Sequence, residues 1–217
     1  MDLGIKGKWA LVTGGANGIG EEISLKLAME GVNLLITSRS SQPIEDLKMK
    51  LKKFDIKTDG IIVDFLDENW IESFSKKLNN YSIDILINNA GHNLNVTDPY
   101  CSIEDWNRVL NLNFYTAVSI CNLVIPTMKK NKWGRIINIT SCAGLENSGP
   151  VTYSVAKSSL TVYTRTMGRI LATEGGHVVM SAVFPGVIVT EGGHWDKVLK
   201  SNPSHAEKYL KERCPLK

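Results

Sequence analysis

Short, nearly unbroken apolar runs alternate along this chain with stretches in which apolar residues recur every three or four positions. The first run, residues 10–13, ends in glycines and reads as a buried strand. The turn Gly14-Gly15-Ala16-Asn17-Gly18-Ile19-Gly20 follows, and Ile19, Ile23 and Leu27 then stand four apart on one helix face. A second β-rich run covers 32–37. Pro43, suited to a first helical turn, introduces Ile44, Leu47, Leu51 and Phe54 at helical spacing. A third strand is predicted at 61–63, closing on Asp64, after which Asp67 is placed to cap a helix with Ile71, Phe74 and Leu78 on its apolar side. A fourth strand at 83–87 runs into Asn88-Asn89-Ala90-Gly91.

Ser102 and Asp105 have the spacing of a capping box. A long helix is predicted from 103 to 130, with Pro126 kinking it or marking its last turn. A fifth strand at 135–140, a helix over 153–173 stopped by Gly175-Gly176, and a sixth strand at 178–184 broken by Pro185-Gly186 complete the pattern. Apolar strands alternating with amphipathic helices predict an α/β protein of the Rossmann type. Its parallel sheet is doubly wound, with helices on both faces. No repeat or linker interrupts the 217 residues, 43% of them hydrophobic, so a single domain spanning 1–217 is expected.

Composition narrows the function classes. A net charge of +3 without a basic tract interleaved with aromatics argues against nucleic acid, and the run 48–53 reads as a solvated helix face. Cys101, Cys121, Cys142 and Cys214 are scattered free thiols, and the four histidines show no metal-ligand spacing. Neither a leader pattern nor an apolar run of membrane-spanning length is evident, so a cytoplasmic protein away from membranes is expected.

Ligands of such sheets bind beyond the carboxyl ends of the strands, and the distinctive polar groups gather there. A strand, a glycine turn and a helix N-terminus present unpaired N–H groups and a positive dipole end to a phosphate. Past the second strand, at Thr37-Ser38-Arg39, an arginine stands where an acidic residue would hold ribose hydroxyls; this favours NADP over NAD. Tyr153 and Lys157, four apart on a helix, share a face. A cation beside a phenol stabilises the phenolate, so Lys157 is expected to lower the pKa of Tyr153 toward a range useful for acid–base catalysis.

At these residues the chain resembles the short-chain dehydrogenases/reductases, in their compact subgroup. TGGANGIG at 13–20 is similar to their T-G-x-x-x-G-x-G turn, NNAG at 88–91 to their N-N-A-G, YSVAK at 153–157 to their Y-x-x-x-K, and Pro185-Gly186 to their P-G. The resemblance implies catalytic roles for Tyr153 as acid–base, Lys157 as its partner and ribose ligand, and Ser141 as hydrogen-bond donor to the substrate oxygen. It also implies Asn113 as anchor of a proton-relay water. Thr140 is the alternative to Ser141, and Asn111 to Asn113. It further implies a cofactor site of Gly14, Asn17, Gly18, Ile19, Gly20, Ser38, Arg39, Asp64, Phe65, Asn89, Ala90, Gly91, Tyr153, Lys157, Pro185, Gly186, Ile188 and Thr190, with no metal.

By the same resemblance the segment near 190–212 covers the substrate, where His194, Trp195 and Tyr209 are candidates for contact or packing. Family members continue past residue 217 through another helix and strand, so the sheet is expected to lack those elements. The expected activity interconverts a carbonyl and a secondary alcohol by hydride transfer, on a 3-oxoacyl-carrier-protein, a sugar or another secondary metabolite. A homodimer or homotetramer is the expected assembly of a chain that carries those further elements. A non-catalytic dinucleotide-binding or sensing module on the same fold is the alternative.

Overall fold

In the computed structural model, which describes residues 1–146, 148–175 and 177–213, six strands form one wholly parallel sheet. They are β1 (Trp9–Val12), β2 (Asn33–Ser38), β3 (Thr58–Ile62), β4 (Ile85–Asn88), β5 (Gly134–Ile139) and β6 (Val178–Val183). Their order is β3-β2-β1-β4-β5-β6. The chain therefore reverses its direction of travel across the sheet between β1 and β4, and a crevice opens at that switch point.

Alternate residues of the strands feed two cores. Ala10, Val12, Leu34, Ile36, Ile85 and Ile87 pack under α1 (Gly18–Met29) and α2 (Ser41–Leu51), which contribute Ala28, Ile44, Leu47 and Leu51. Leu11, Leu35, Leu86 and Ile136 point the other way. They meet Phe74 and Leu78 of α3 (Trp70–Leu78), Ile120, Val124 and Met128 of α5 (Thr116–Lys130), and Leu171 of α6 (Val151–Thr173). α4 (Ile103–Leu110) precedes α5, and α7 (His194–Ser201) and α8 (Pro203–Arg213) follow β6. Cys214 and Gly176 lie outside the described residues.

Several elements differ from expectation for physical reasons. On α1 the buried row is Gly20, Ser24 and Ala28, while Ile19, Ile23 and Leu27 are only half-buried. Small side chains let the helix sit close to the sheet, and Ser24 Oγ donates to the carbonyls of Gly15 (3.0 Å) and Gly20 (2.9 Å). β3 is an edge strand with a polar, exposed start, so no apolar run marks its true beginning at Thr58. Asp67 does not cap α3: its Oδ1 accepts from Asn69 N (2.8 Å), and Ile71 faces solvent while Trp70 packs edge-on against Phe65.

The helix predicted over 103–130 contains a π turn at Asn111–Tyr115, and Pro126 stays within α5. Thr116 Oγ1 donates to the Asn111 carbonyl (2.8 Å) across the widened turn. The stretch Ile103–Lys130 is, by length and composition, apolar enough to cross a membrane, contrary to the reading of its runs. In this fold it is a core helix whose Ile120, Cys121, Val124, Ile125 and Met128 are buried. Ser102 caps α4 as expected, its Oγ accepting from Asp105 N at 3.1 Å.

Candidate active site

Because every strand runs the same way, the turns after β1, β2, β3, β4, β5 and β6 open onto one edge of the sheet. The glycine turn lies next to the switch point. Asn17, at the N-cap of α1, makes no side-chain cap, so the first-turn amides of that helix face outward without a capping oxygen. A Cβ on Gly20 would lie inside the contact radius of the Gly14 carbonyl oxygen and 2.6 Å from Asn89 Nδ2, so only glycine permits this approach.

Two threonines that sequence reasoning leaves without a role brace the turn. Thr13 Oγ1 accepts from the backbone N–H groups of Asn89 (2.9 Å) and Ala90 (3.0 Å) and donates to the Ile87 carbonyl (3.3 Å). Thr37 Oγ1 accepts from Gly14 N at 3.0 Å. Their signal in the sequence is weak: each is a β-branched residue at the end of an apolar run. Asn89 Nδ2 donates to the carbonyls of Thr13 (3.0 Å) and Gly14 (3.1 Å), so its side chain ties β4 to the glycine turn. Phe65 is buried edge-on against Trp70 and Phe74, which leaves only its backbone available to a ligand. Ser38, Arg39, Asp64 and Ile188 stand at the same sheet edge, with Arg39, Asp64 and Ile188 exposed.

The polar centre assembles beside Gly91. The fully buried Asn113, within the π turn, accepts from His92 N (3.1 Å) and donates through Nδ2 to the carbonyls of His92 (2.8 Å) and Val109 (2.9 Å). A Cβ on Gly91 would lie 2.6 Å from Asn113 Oδ1 and 2.9 Å from Lys157 Nζ, which places these two side chains on either side of one point. Asn111 is exposed, so the geometry selects Asn113 of the two. Lys157 donates to the Ile139 carbonyl at 2.9 Å, and its Nζ is 5.6 Å from the centre of the Tyr153 ring.

The Ser141 hydroxyl lies beside the Tyr153 phenol and acts to lower its pKa. Thr140 is excluded from that place, since its hydroxyl donates to the Val183 carbonyl (2.8 Å) and closes β5 onto β6. The loop after β6 joins the group: Cys142 N donates to the Pro185 carbonyl (3.1 Å), and Thr190 lies against Gly18, its Oγ1 3.4 Å from where a Cβ there would stand. Trp195 and Tyr209 pack on each other with ring centres 4.7 Å apart.

Electrostatics correct one expectation. Burial raises the Tyr153 phenol above its ordinary value, and the Ser141 hydroxyl opposes this only in part. Burial also lowers Lys157 to about 8. A lysine held at about 8 has lost its proton before a phenol raised above its ordinary value ionises, so it brings no positive charge to the phenolate. The site therefore holds a protonated phenol, a hydroxyl beside it and a buried amine, on the same sheet edge as the glycine cradle. Where a Cβ would fill the cradle the chain has glycine, so the residues fit a dinucleotide.

A family model described as short chain dehydrogenase matches residues 8–196. The 3-oxoacyl-[acyl-carrier-protein] reductase FabG of Aquifex aeolicus (strain VF5) is 33% identical across 100% of this chain and 86% of its own length. The enzyme of that name from Buchnera aphidicola subsp. Schizaphis graminum is 35% identical, covering 86% of this chain and 75% of its own. Among solved structures, L-sorbose reductase from Gluconobacter frateurii, complexed with NADPH and L-sorbose, is similar with a TM-score of 0.85 and 26% identity. That match covers 98% of this chain and 82% of the other.

Proposed function

The chain belongs to the short chain dehydrogenases, and from that premise we propose that it reduces a ketone to a secondary alcohol with NADPH. The observation that carries the reading is the Tyr153 phenol with Ser141 beside it, Lys157 on the same helix and Asn113 across from that lysine. NADPH, when bound, supplies the hydride to the carbonyl carbon. Tyr153 donates its proton to the carbonyl oxygen, and Ser141 donates a hydrogen bond to that oxygen as negative charge grows on it. Lys157 binds the nicotinamide ribose, and Asn113 holds the relay water that returns a proton toward Lys157.

The cofactor choice rests on Arg39 and on α2. No acidic residue occupies the first turn of that helix, and Ser40 provides no side-chain cap, so the helix end and the guanidinium together suit a 2′-phosphate. The glycine turn and first-turn amides of α1 take the pyrophosphate, and Ile188 and Thr190 meet the carboxamide. The two reductases at 33% and 35% identity support a 3-oxoacyl thioester of acyl carrier protein as substrate, with a sugar ketone as the next candidate. We infer a cytoplasmic homodimer or homotetramer.

The test is NADPH and NADH oxidation across a panel of 3-oxoacyl, sugar and steroid-like ketones. Tyr153→Phe is expected to lose at least about 100-fold in kcat while still binding NADPH, and Arg39→Ala to lose the preference for NADPH. Unchanged turnover in Tyr153→Phe would sink the acid–base assignment. Tight NADPH binding by the unaltered protein, with no turnover on any ketone, would replace the reading with a non-catalytic dinucleotide-binding module.

A further inference from the structure

On the sheet face that meets α5 and α6, β4 and β5 are apolar until their carboxyl ends. There Leu86 and Ile136 are followed, two positions on and on the same side of the pleat, by Asn88 and Asn138. The two asparagines stand in register across the strands, are 4% and 0% exposed, and Asn88 Nδ2 donates to Asn138 Oδ1 over 2.8 Å. Asn138 Nδ2 in turn donates to Thr164 Oγ1 on α6, also at 2.8 Å. The Thr164 hydroxyl donates in turn to the Leu160 carbonyl at 2.6 Å. A buried chain of hydrogen bonds thus runs from two strands to the helix that carries Tyr153 and Lys157.

Thr164 lies two helical turns beyond Lys157 on the same face. Ile139, the residue after Asn138, accepts from Lys157 Nζ at 2.9 Å. Adjacent residues of β5 therefore hold α6 at two points two turns apart. Ser158 Oγ, donating to the Gly144 carbonyl at 2.6 Å, ties the helix to the loop after β5 and not to the sheet. The inward contacts of α6 through Ala156, Leu160 and Leu171 are apolar and non-directional, and they tolerate a small slide or rotation. The amide chain does not, because any slide leaves Asn138 Nδ2 without an acceptor in a dry interior.

We propose that Asn138 and Thr164 are positioning residues, fixing the depth and rotation at which α6 presents Tyr153 and Lys157 to the substrate. The proposal rests on the carbonyl-reductase reading above.

Thr164→Val keeps the side chain's shape and removes the acceptor; Thr164→Ser restores it. In Thr164→Val, kcat is expected to fall about 10- to 100-fold, as displacements of about an ångström do, with the NADPH dissociation constant held within about threefold. The basic limb of its pH profile should shift, and Thr164→Ser should recover both quantities. Amide hydrogen exchange over residues 151–160, read without substrate, should quicken in Thr164→Val and not in Thr164→Ser.

Wild-type kcat, pH profile and exchange in Thr164→Val would overturn the proposal. So would a serine variant as impaired as the valine one, since the methyl group's packing would then be responsible. If Thr164→Val does not fold, Thr164→Cys, with its weaker acceptor, carries the same comparison and must fall between wild type and a tenfold loss. If the unaltered protein reduces no ketone, the activity reading fails by itself. Exchange over 151–160 then decides the clamp, and an unaltered pattern sinks it.

Discussion

A lysine ammonium with 3% of its surface exposed is a costly group, and Lys157 illustrates how a site of this kind trades stability for chemistry. Burial holds it at about 8 against an ordinary 10.5. The unfolded chain therefore binds more protons between pH 8 and 10.5, and the contribution of this group to stability grows as pH rises through that window. Below it the whole penalty is present, roughly 3 kcal/mol for a shift of that size. Lys157→Met is accordingly expected to be inactive yet more stable at pH 7 by about 1–3 kcal/mol, with the gain shrinking toward pH 10. Urea denaturation at both pH values checks this, and a variant less stable at pH 7 would show that the bond to Ile139 outweighs the burial. Tyr153 gives a second signature. A phenol whose pKa is raised by burial stays protonated through neutrality, which suits proton donation during reduction. Alcohol oxidation needs the proton removed first, so the ratio of oxidation to reduction rates should climb from pH 7 to pH 10. Initial rates in both directions measure it, and a ratio that peaks near neutrality would mean that the phenol ionises lower.

The elements explain why these residues meet at all. α1 approaches the sheet through Gly20, Ser24 and Ala28, and that closeness shapes the glycine cradle. A methyl at Gly20 would collide with Gly14 and Asn89 at once. Gly20→Ala should cost about 1–3 kcal/mol in stability, the usual range for overpacking, and weaken NADPH binding at least about tenfold. Thermal unfolding and a fluorescence titration test the two parts, and normal affinity in a folded variant would remove the cradle from the binding site. The π turn is the second such device. It turns Asn113 inward toward His92 and Val109 at the point where a regular helix was expected. Local signals made the strands, the turn and the capping box at Ser102 legible. They did not reveal the π turn, because residues 103–130 carry no glycine and their proline lies further on, inside α5. Nor did apolar spacing predict the buried row of α1, since small residues bury through proximity rather than hydrophobicity.

At the scale of the whole molecule, the helix layer of α1 and α2 does not reach β6. Val178 and Met180 pack toward α6, whereas Val179 and Val183 on the opposite side are 50% and 47% exposed. A cleft of about 300 Å³ between α6 and β6, lined by Gly168, Leu171 and His177 among others, adjoins this border. Exposed valines on that face of β6 invite association. Val179→Lys with Val183→Lys should leave the unfolding free energy within about 0.5 kcal/mol while slowing aggregation on heating, which light scattering reads; unchanged scattering would clear this face. The sequence by itself determined the alternation of strands and helices, and with it the parallel sheet and the shared edge at which Gly14, Asn89, Ser141 and Tyr153 would gather. Those features follow from local periodicity and from turn residues, which act over a few positions. The tertiary structure decided which of Ser141 and Thr140 lies beside Tyr153, which asparagine faces Lys157, and that burial raises the phenol while lowering the lysine next to it. Those outcomes depend on distances between residues far apart in the chain and on how much water each group loses, and neither quantity is written in any single stretch of sequence.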